Sequence, residues 1–109
     1  MAYDEGLAQR ARELLEEKPG FVEKKMFGGI GFLLRGNMAC GIIREDLIVR
    51  VGSERYKASL KLPYTRKFDM TGKPMTGWIM VSSEGYERDE DLLKWIQQGV
   101  HYALSLPPK

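Results

Sequence analysis

Hydrophobic residues at helical spacing open and close the chain. In residues 4–17 they recur on one face, and Pro19-Gly20 then ends the predicted helix. Residues 90–106 repeat the pattern after Asp89, which we expect to cap that helix. Acidic residues cluster at both helix starts, where the helix dipole favours them. The predicted inner faces hold Leu7, Ala11, Leu14 and Leu15 in the first helix and Leu92, Ile96, Gly99, Val100, Ala103 and Leu104 in the last.

Short apolar runs separated by turn residues fill the middle of the chain. Gly36-Asn37 forms a hairpin turn between two of them, and the polar residues 44–46 separate the next two. Connections this short permit only antiparallel pairing, because a parallel crossover needs a dozen or more residues. The pattern predicts an antiparallel meander of strands at residues 22–27, 30–35, 38–43 and 47–51.

After the meander the pattern predicts one more helix and one more strand. Ser53 is expected to cap a short helix over residues 54–60, and Pro63 ends that segment. A long polar connection over residues 64–77 leads into a fifth strand at residues 78–82. Structureless connections of that length are uncommon in small domains, so this one is a candidate functional segment.

The order of these elements predicts the fold class. Helix, four strands, short helix, strand and helix are typical of an α+β fold in which helices pack against an antiparallel sheet of about five strands, as two layers. With 109 residues, of which 43% are hydrophobic, the chain fits one domain over residues 1–109.

Composition limits the class of partner and the cellular compartment that we expect for this protein. A net charge of +2 is too weak to indicate a polyanionic partner by itself. Cys40 is the single cysteine, so no intrachain disulfide can form, which suits a reducing cytoplasm. The acidic N-terminal helix is unlike a secretory signal, and no apolar run approaches the ~18–20 residues of a membrane span. We therefore expect a cytoplasmic protein without a membrane partner.

Candidate catalytic and cofactor motifs are weak. Cys40 lies in a predicted strand, and His101, the only histidine, lies on the last helix, so packing roles are the simpler interpretation of both. One Cys and one His cannot supply a zinc site. The glycines of residues 28–31 precede a strand rather than a helix, which indicates close backbone packing rather than a phosphate loop. We expect no metal, no cofactor and no enzymatic activity; an enzyme using Cys40 or His101 is the less favoured alternative.

The charge pattern gives a candidate binding surface. Residues 54–73 carry a local excess of +4, with aromatic residues interspersed. Such a segment could contact an acidic protein or nucleic-acid phosphates, and an ordinary solvated surface is the plainer alternative. The candidate partner-binding residues are Arg55, Lys57, Lys61, Tyr64, Arg66, Lys67 and Phe68.

Methionines form a second pattern with two interpretations. They could provide an adaptable binding surface, but filling of the core is the simpler prediction for those in strands. Met70 and Met75 fall in the long connection instead, and the remaining members of the set are Met26, Met38 and Met80 together with Phe27 and Phe32.

Several segments resemble one family, the TfoX/Sxy N-terminal domain. They include KMFGGIGF at residues 25–32, LIVRVG at 47–52, FDMTGKPM at 68–75 followed by Gly77-Trp78, residues 92–95, and the closing LSLPPK at 104–109. The resemblance spans nearly the whole chain in order. It implies a helix-flanked antiparallel sheet and kinship with bacterial regulators of competence genes, which act through other transcription factors and carry a further C-terminal domain.

The resemblance implies no catalytic residues. We therefore expect a stand-alone, non-enzymatic regulatory module with a protein partner, for which a transcription factor is one candidate. Homodimerisation and direct nucleic-acid binding through residues 54–73 stay open as alternatives.

Overall fold

The computed structural model describes residues 3–26, 28–69, 72 and 74–109. Six antiparallel strands form one sheet in the spatial order β1-β2-β3-β4-β6-β5. The elements run as α1 (Glu5–Leu15), β1 (Phe21–Met26), β2 (Gly29–Leu34), β3 (Asn37–Ile43), β4 (Asp46–Arg50), α2 (Ser53–Leu60), β5 (Thr65–Lys67), β6 (Trp78–Val81) and α3 (Asp89–Ser105). The predicted α+β class is confirmed.

The sheet has one strand more than the sequence predicts. β5 lies within the connection that we expected to be structureless, and it pairs antiparallel with β6 at the outer edge of the sheet. Its three residues are polar or charged, so they lack the apolar alternation by which a strand is recognised.

The N-termini of the helices also differ slightly from the prediction. Asp4 caps α1 by accepting a hydrogen bond from the Leu7 N–H. Ser53 and Asp89, by contrast, are the first residues of their helices rather than the caps.

The core lies on one face of the sheet. Alternate residues of the central strands, such as Phe32, Cys40 and Leu47, are fully buried there beneath α1 and α3, and Tyr56 and Leu60 of α2 pack against the same cluster. α3 approaches β3 closely at Gly99, where an added Cβ would lie 2.4 Å from the Ala39 carbonyl oxygen. Any larger residue there would push the helix off the sheet.

The opposite face carries no helix in the part of the chain that the structure describes. Gly31 and Gly41 lie directly opposite each other in β2 and β3, and Ile48 of β4 is the next neighbour across that face. The side chains of Met26 and Met38 lie over these glycines, since a Cβ added at Gly41 would meet Met38 Cε at 2.7 Å. We call this surface the helix-free face.

Candidate interaction surfaces

α2 presents its basic residues to solvent. Tyr56, Ser59 and Leu60 turn toward the sheet, which leaves Arg55, Lys57 and Lys61 exposed. Among the described residues, no carboxylate lies within ion-pair distance of these three side chains. Lys57 and Lys61 are neighbours one turn apart, whereas Arg55 lies on the flank of α2 toward α3, beside Gln98 and Tyr102. Exposed positive charges without internal partners are available to an acidic ligand.

β5 divides the remaining predicted basic residues between the two faces of the sheet. Lys67 pairs with Ile79, which belongs to the core, so Lys67 lies on the same side as α2. Arg66 lies on the helix-free face, where its guanidinium donates to Asp46 at 2.6 Å. Arg66 and Lys67 are adjacent in the sequence but lie on opposite faces of the sheet. Only Lys67 lies on the face that carries α2.

Tyr64 is held with its ring exposed by an unusual backbone conformation. Its φ angle of 66° is left-handed, a conformation that costs a non-glycine residue about 1–2 kcal/mol. Its carbonyl oxygen accepts hydrogen bonds from the Ser82 backbone N–H at 2.9 Å and from Ser82 Oγ at 3.2 Å. The residue as a whole remains 53% exposed. We define the α2–Tyr64 surface as Arg55, Lys57, Lys61, Tyr64 and Lys67.

Phe68 is not part of that surface. It is only 3% exposed and packs against Trp78, with ring centroids 6.2 Å apart. A partner cannot reach it without rearrangement, so the inclusion of Phe68 among contact residues was wrong. The hydrophobic effect explains the difference, because an aromatic residue next to a sheet edge gains by packing onto a neighbouring strand.

A shallow cleft of about 250 Å³ adjoins Tyr64. Leu62, Tyr64 and Trp95 supply apolar surface, while Glu84, Asp91 and Lys94 bring charges of both signs to the cleft. The cleft thus combines the exposed Leu62 and Tyr64 with charges of both signs. That mixture suits a protein segment with an apolar anchor better than a uniformly negative nucleic-acid backbone.

The sequence interpretation missed an aromatic cluster around Arg50. Its guanidinium carbon lies 5.1 Å from the Trp78 ring centroid and 5.3 Å from that of Tyr102. Such cation–π contacts hold the end of β4 against β6 and α3. The three residues are far apart in the chain, so no local pattern could have indicated them.

The predicted methionine set also divides between surfaces. Met26, Met38 and Met80 lie half-buried on the helix-free face rather than in the core, and Met75 is exposed. Phe32 is fully buried, whereas Phe27 and Met70 lie outside the described residues. Core filling was therefore wrong for the three strand methionines.

Cys40 and His101 occupy different environments. Cys40 is completely buried, and burial raises the pKa of its thiol to about 12, so the thiolate is scarce near neutral pH. His101 is exposed on α3. Within the described ranges, no group of three or more His, Cys, Asp or Glu residues could hold a metal ion, and no helix is long and apolar enough to cross a membrane.

Sequence comparison gives the family. The model of the TfoX N-terminal domain matches residues 13–103, most of the chain, and the fold is the helix-flanked antiparallel sheet that the resemblance implies. The chain therefore belongs to the TfoX N-terminal domain family. No curated protein matches it.

Proposed function

We propose that this TfoX N-terminal domain is a non-enzymatic regulatory module of the cytoplasm that binds a protein partner through the α2–Tyr64 surface. The observation that carries the proposal is that α2 exposes three basic residues without ion-pair partners among the described residues. An exposed tyrosine with a left-handed backbone follows shortly after this helix in the chain. The regulatory setting follows from the resemblance to competence regulators, which makes a transcription factor the expected class of partner.

The chemistry of the surface defines what the partner should look like. Arg55, Lys57 and Lys61 would contact an acidic segment, and Tyr64 with Leu62 would receive an apolar side chain in the adjoining cleft. Glu84 and Asp91, only partly offset by Lys94, disfavour a nucleic-acid backbone at the cleft. These features favour protein binding over direct nucleic-acid binding.

The proposal is tested with a charge-reversed variant, Arg55→Glu/Lys57→Glu/Lys61→Glu, used as bait in native cytosol. The control is Lys18→Glu/Arg44→Glu/Lys109→Glu, which makes the same change in net charge at exposed positions elsewhere. We expect the first variant to lose proteins that the wild-type chain and the control retain. Identical sets of captured proteins for all three baits would contradict the proposal.

A gel-shift assay at low salt tests the nucleic-acid alternative directly. We expect no shift of DNA or RNA by the wild-type chain. A shift that disappears steeply as salt rises and is lost in the α2 variant would replace protein binding with phosphate binding.

A further inference from the structure

β1 leaves one side of its backbone unpaired at the edge of the sheet. The Arg35 N–H donates to the Gly20 carbonyl oxygen, and antiparallel strands alternate between hydrogen-bonded and non-hydrogen-bonded pairs. Even-numbered residues of β1 therefore bond to β2, whereas Phe21, Glu23 and Lys25 direct their N–H and C=O groups outward. Among the described strands, no neighbour pairs with this edge. Such an edge is a template for another strand.

We propose that β1 pairs antiparallel with β1 of a second copy of this chain, about a two-fold axis through Lys24 and perpendicular to the sheet. This axis keeps the helices of both copies on the same face and joins the two sheets into one of twelve strands. Glu23 and Lys25 of each copy then form hydrogen-bonded pairs with Lys25 and Glu23 of the other. The proposal is independent of the α2–Tyr64 surface.

In this register, the side chains of β1 in one copy are complementary to those of β1 in the second copy. On the helix-covered side, Glu23 stands opposite Lys25 of the second copy, and symmetry repeats the pair. On the helix-free side, Val22 stands opposite Met26 of the second copy. Val22 is 47% exposed, one of few large hydrophobic side chains that are so open, and the pairing covers it. Opposite charges and apolar pairs across strands both stabilise antiparallel sheets.

Neighbouring registers lack this complementarity. An axis through Glu23 places Glu23 opposite its own copy, and an axis through Lys25 places Lys24 opposite Met26. The Lys24 axis has two unfavourable features. Glu23 already pairs with Arg12 of its own chain and must share its carboxylate. Lys24 also approaches its symmetry mate, but this pair lies on the helix-free face, where both ammonium groups can diverge. Any strand could satisfy the backbone of this edge, but a second copy also supplies the matching Glu23 and Lys25 side chains, and this is why we favour it.

Disulfide trapping tests the position of the axis. In Lys24→Cys the two cysteines would form a non-hydrogen-bonded pair with Cα atoms about 4.5 Å apart, which suits a disulfide. The matched control is Val22→Cys on the same face, whose two copies would stand roughly 13 Å apart along the strands. Buried Cys40 does not compete. We expect a reducible dimer from Lys24→Cys and little from Val22→Cys; equal trapping of both, or trapping of neither, would overturn the proposed register.

Sedimentation of the full chain over a concentration series tests the charge pairing. We expect a monomer–dimer equilibrium that weakens about tenfold in Glu23→Lys or Lys25→Glu and returns toward the wild-type value in the double swap Glu23→Lys/Lys25→Glu. The Arg12–Glu23 ion pair within one chain is lost in Glu23→Lys and in the double swap alike, so it cannot explain a recovery. A chain that stays monomeric at high concentration, or a dimer insensitive to both single changes, would refute the interface.

Discussion

Alternate residues of the same strands point to opposite faces of the sheet, and the two faces differ in how their side chains are packed. Toward the helices, Phe32, Cys40 and Leu47 are fully buried in a continuous core. On the helix-free face, Gly31 and Gly41 leave room for the flexible side chains of Met26 and Met38, which stay partly exposed. Ile48 is buried on this second face too, at 1% exposure, so the two faces differ in degree. The contrast teaches that stability depends mainly on the first face, while the second is only partly covered by its own methionines.

The largest expected contrast is between Phe32→Ala and Met38→Ala. Loss of a fully buried phenylalanine should lower the free energy of unfolding by about 3–5 kcal/mol, through lost transfer energy and a cavity. Met38→Ala, on the half-buried side, should cost less than about 2 kcal/mol. Urea denaturation measures both, and equal losses would show that the helix-free face is packed like the core.

A methyl group added at Gly41 should destabilise the chain by about 1–3 kcal/mol through overpacking. Its Cβ would lie 2.7 Å from Met38 Cε and 2.8 Å from the Ile30 carbonyl oxygen. The flexible methionine can move but the backbone oxygen cannot. Gly41→Ala in a Met38→Ala background should therefore recover only part of the loss in chemical denaturation; complete recovery would mean that the backbone contact costs nothing.

Alkaline pH should lower the free energy of unfolding through Cys40, which is buried on the helix-covered side of the sheet. The pKa of the folded thiol is raised from 9.0 to about 12, so the unfolded chain loses this proton first as the pH rises. The stability that depends on the protonated thiol is complete well below pH 9 and declines toward pH 12, with a loss on the order of 1 kcal/mol by pH 10. Comparing the unfolding free energies of the wild type and Cys40→Ala at pH 8 and pH 10 isolates the effect. A constant difference between the two proteins would exclude it.

The smallest expected effect concerns the Arg66–Asp46 ion pair on the helix-free face. Because the Arg66 side chain is about half exposed, Arg66→Ala should change the free energy of unfolding by less than about 1 kcal/mol, and added salt should reduce the difference further. Thermal unfolding at low and high salt checks this. A loss comparable to that of Phe32→Ala would mean that the ion pair is far less solvated than its exposure indicates.

The sequence predicted the meander and the terminal helices because their patterns are local. Alternation and turn residues are contained within each hairpin, and Leu7 and Leu15 follow the helical period of α1 without help from distant contacts. β5 was missed because its three polar residues become a strand only through pairing with β6. β6 begins 13 positions after the start of β5, so no local pattern shows the pairing.

The candidate surface was predicted in part. Arg55, Lys57 and Lys61 follow from a polar helix face, which the sequence shows directly. Arg66 and Lys67 were grouped as neighbours, but a strand sends adjacent side chains to opposite faces, so missing β5 also meant misplacing Arg66. Phe68 was assigned to the surface for the same reason, since its packing against Trp78 depends on that strand.

The most direct test of the two-faced sheet compares the adjacent residues Ile42 and Ile43. Ile42 is fully buried under the helices, whereas Ile43 lies half-buried on the helix-free face. Methyl NMR spectra recorded with a soluble paramagnetic agent report the solvent access of each side chain. We expect the Ile43 and Met80 methyl signals to broaden at agent concentrations that leave Ile42 sharp. Equal protection of Ile42 and Ile43 would contradict an open second face.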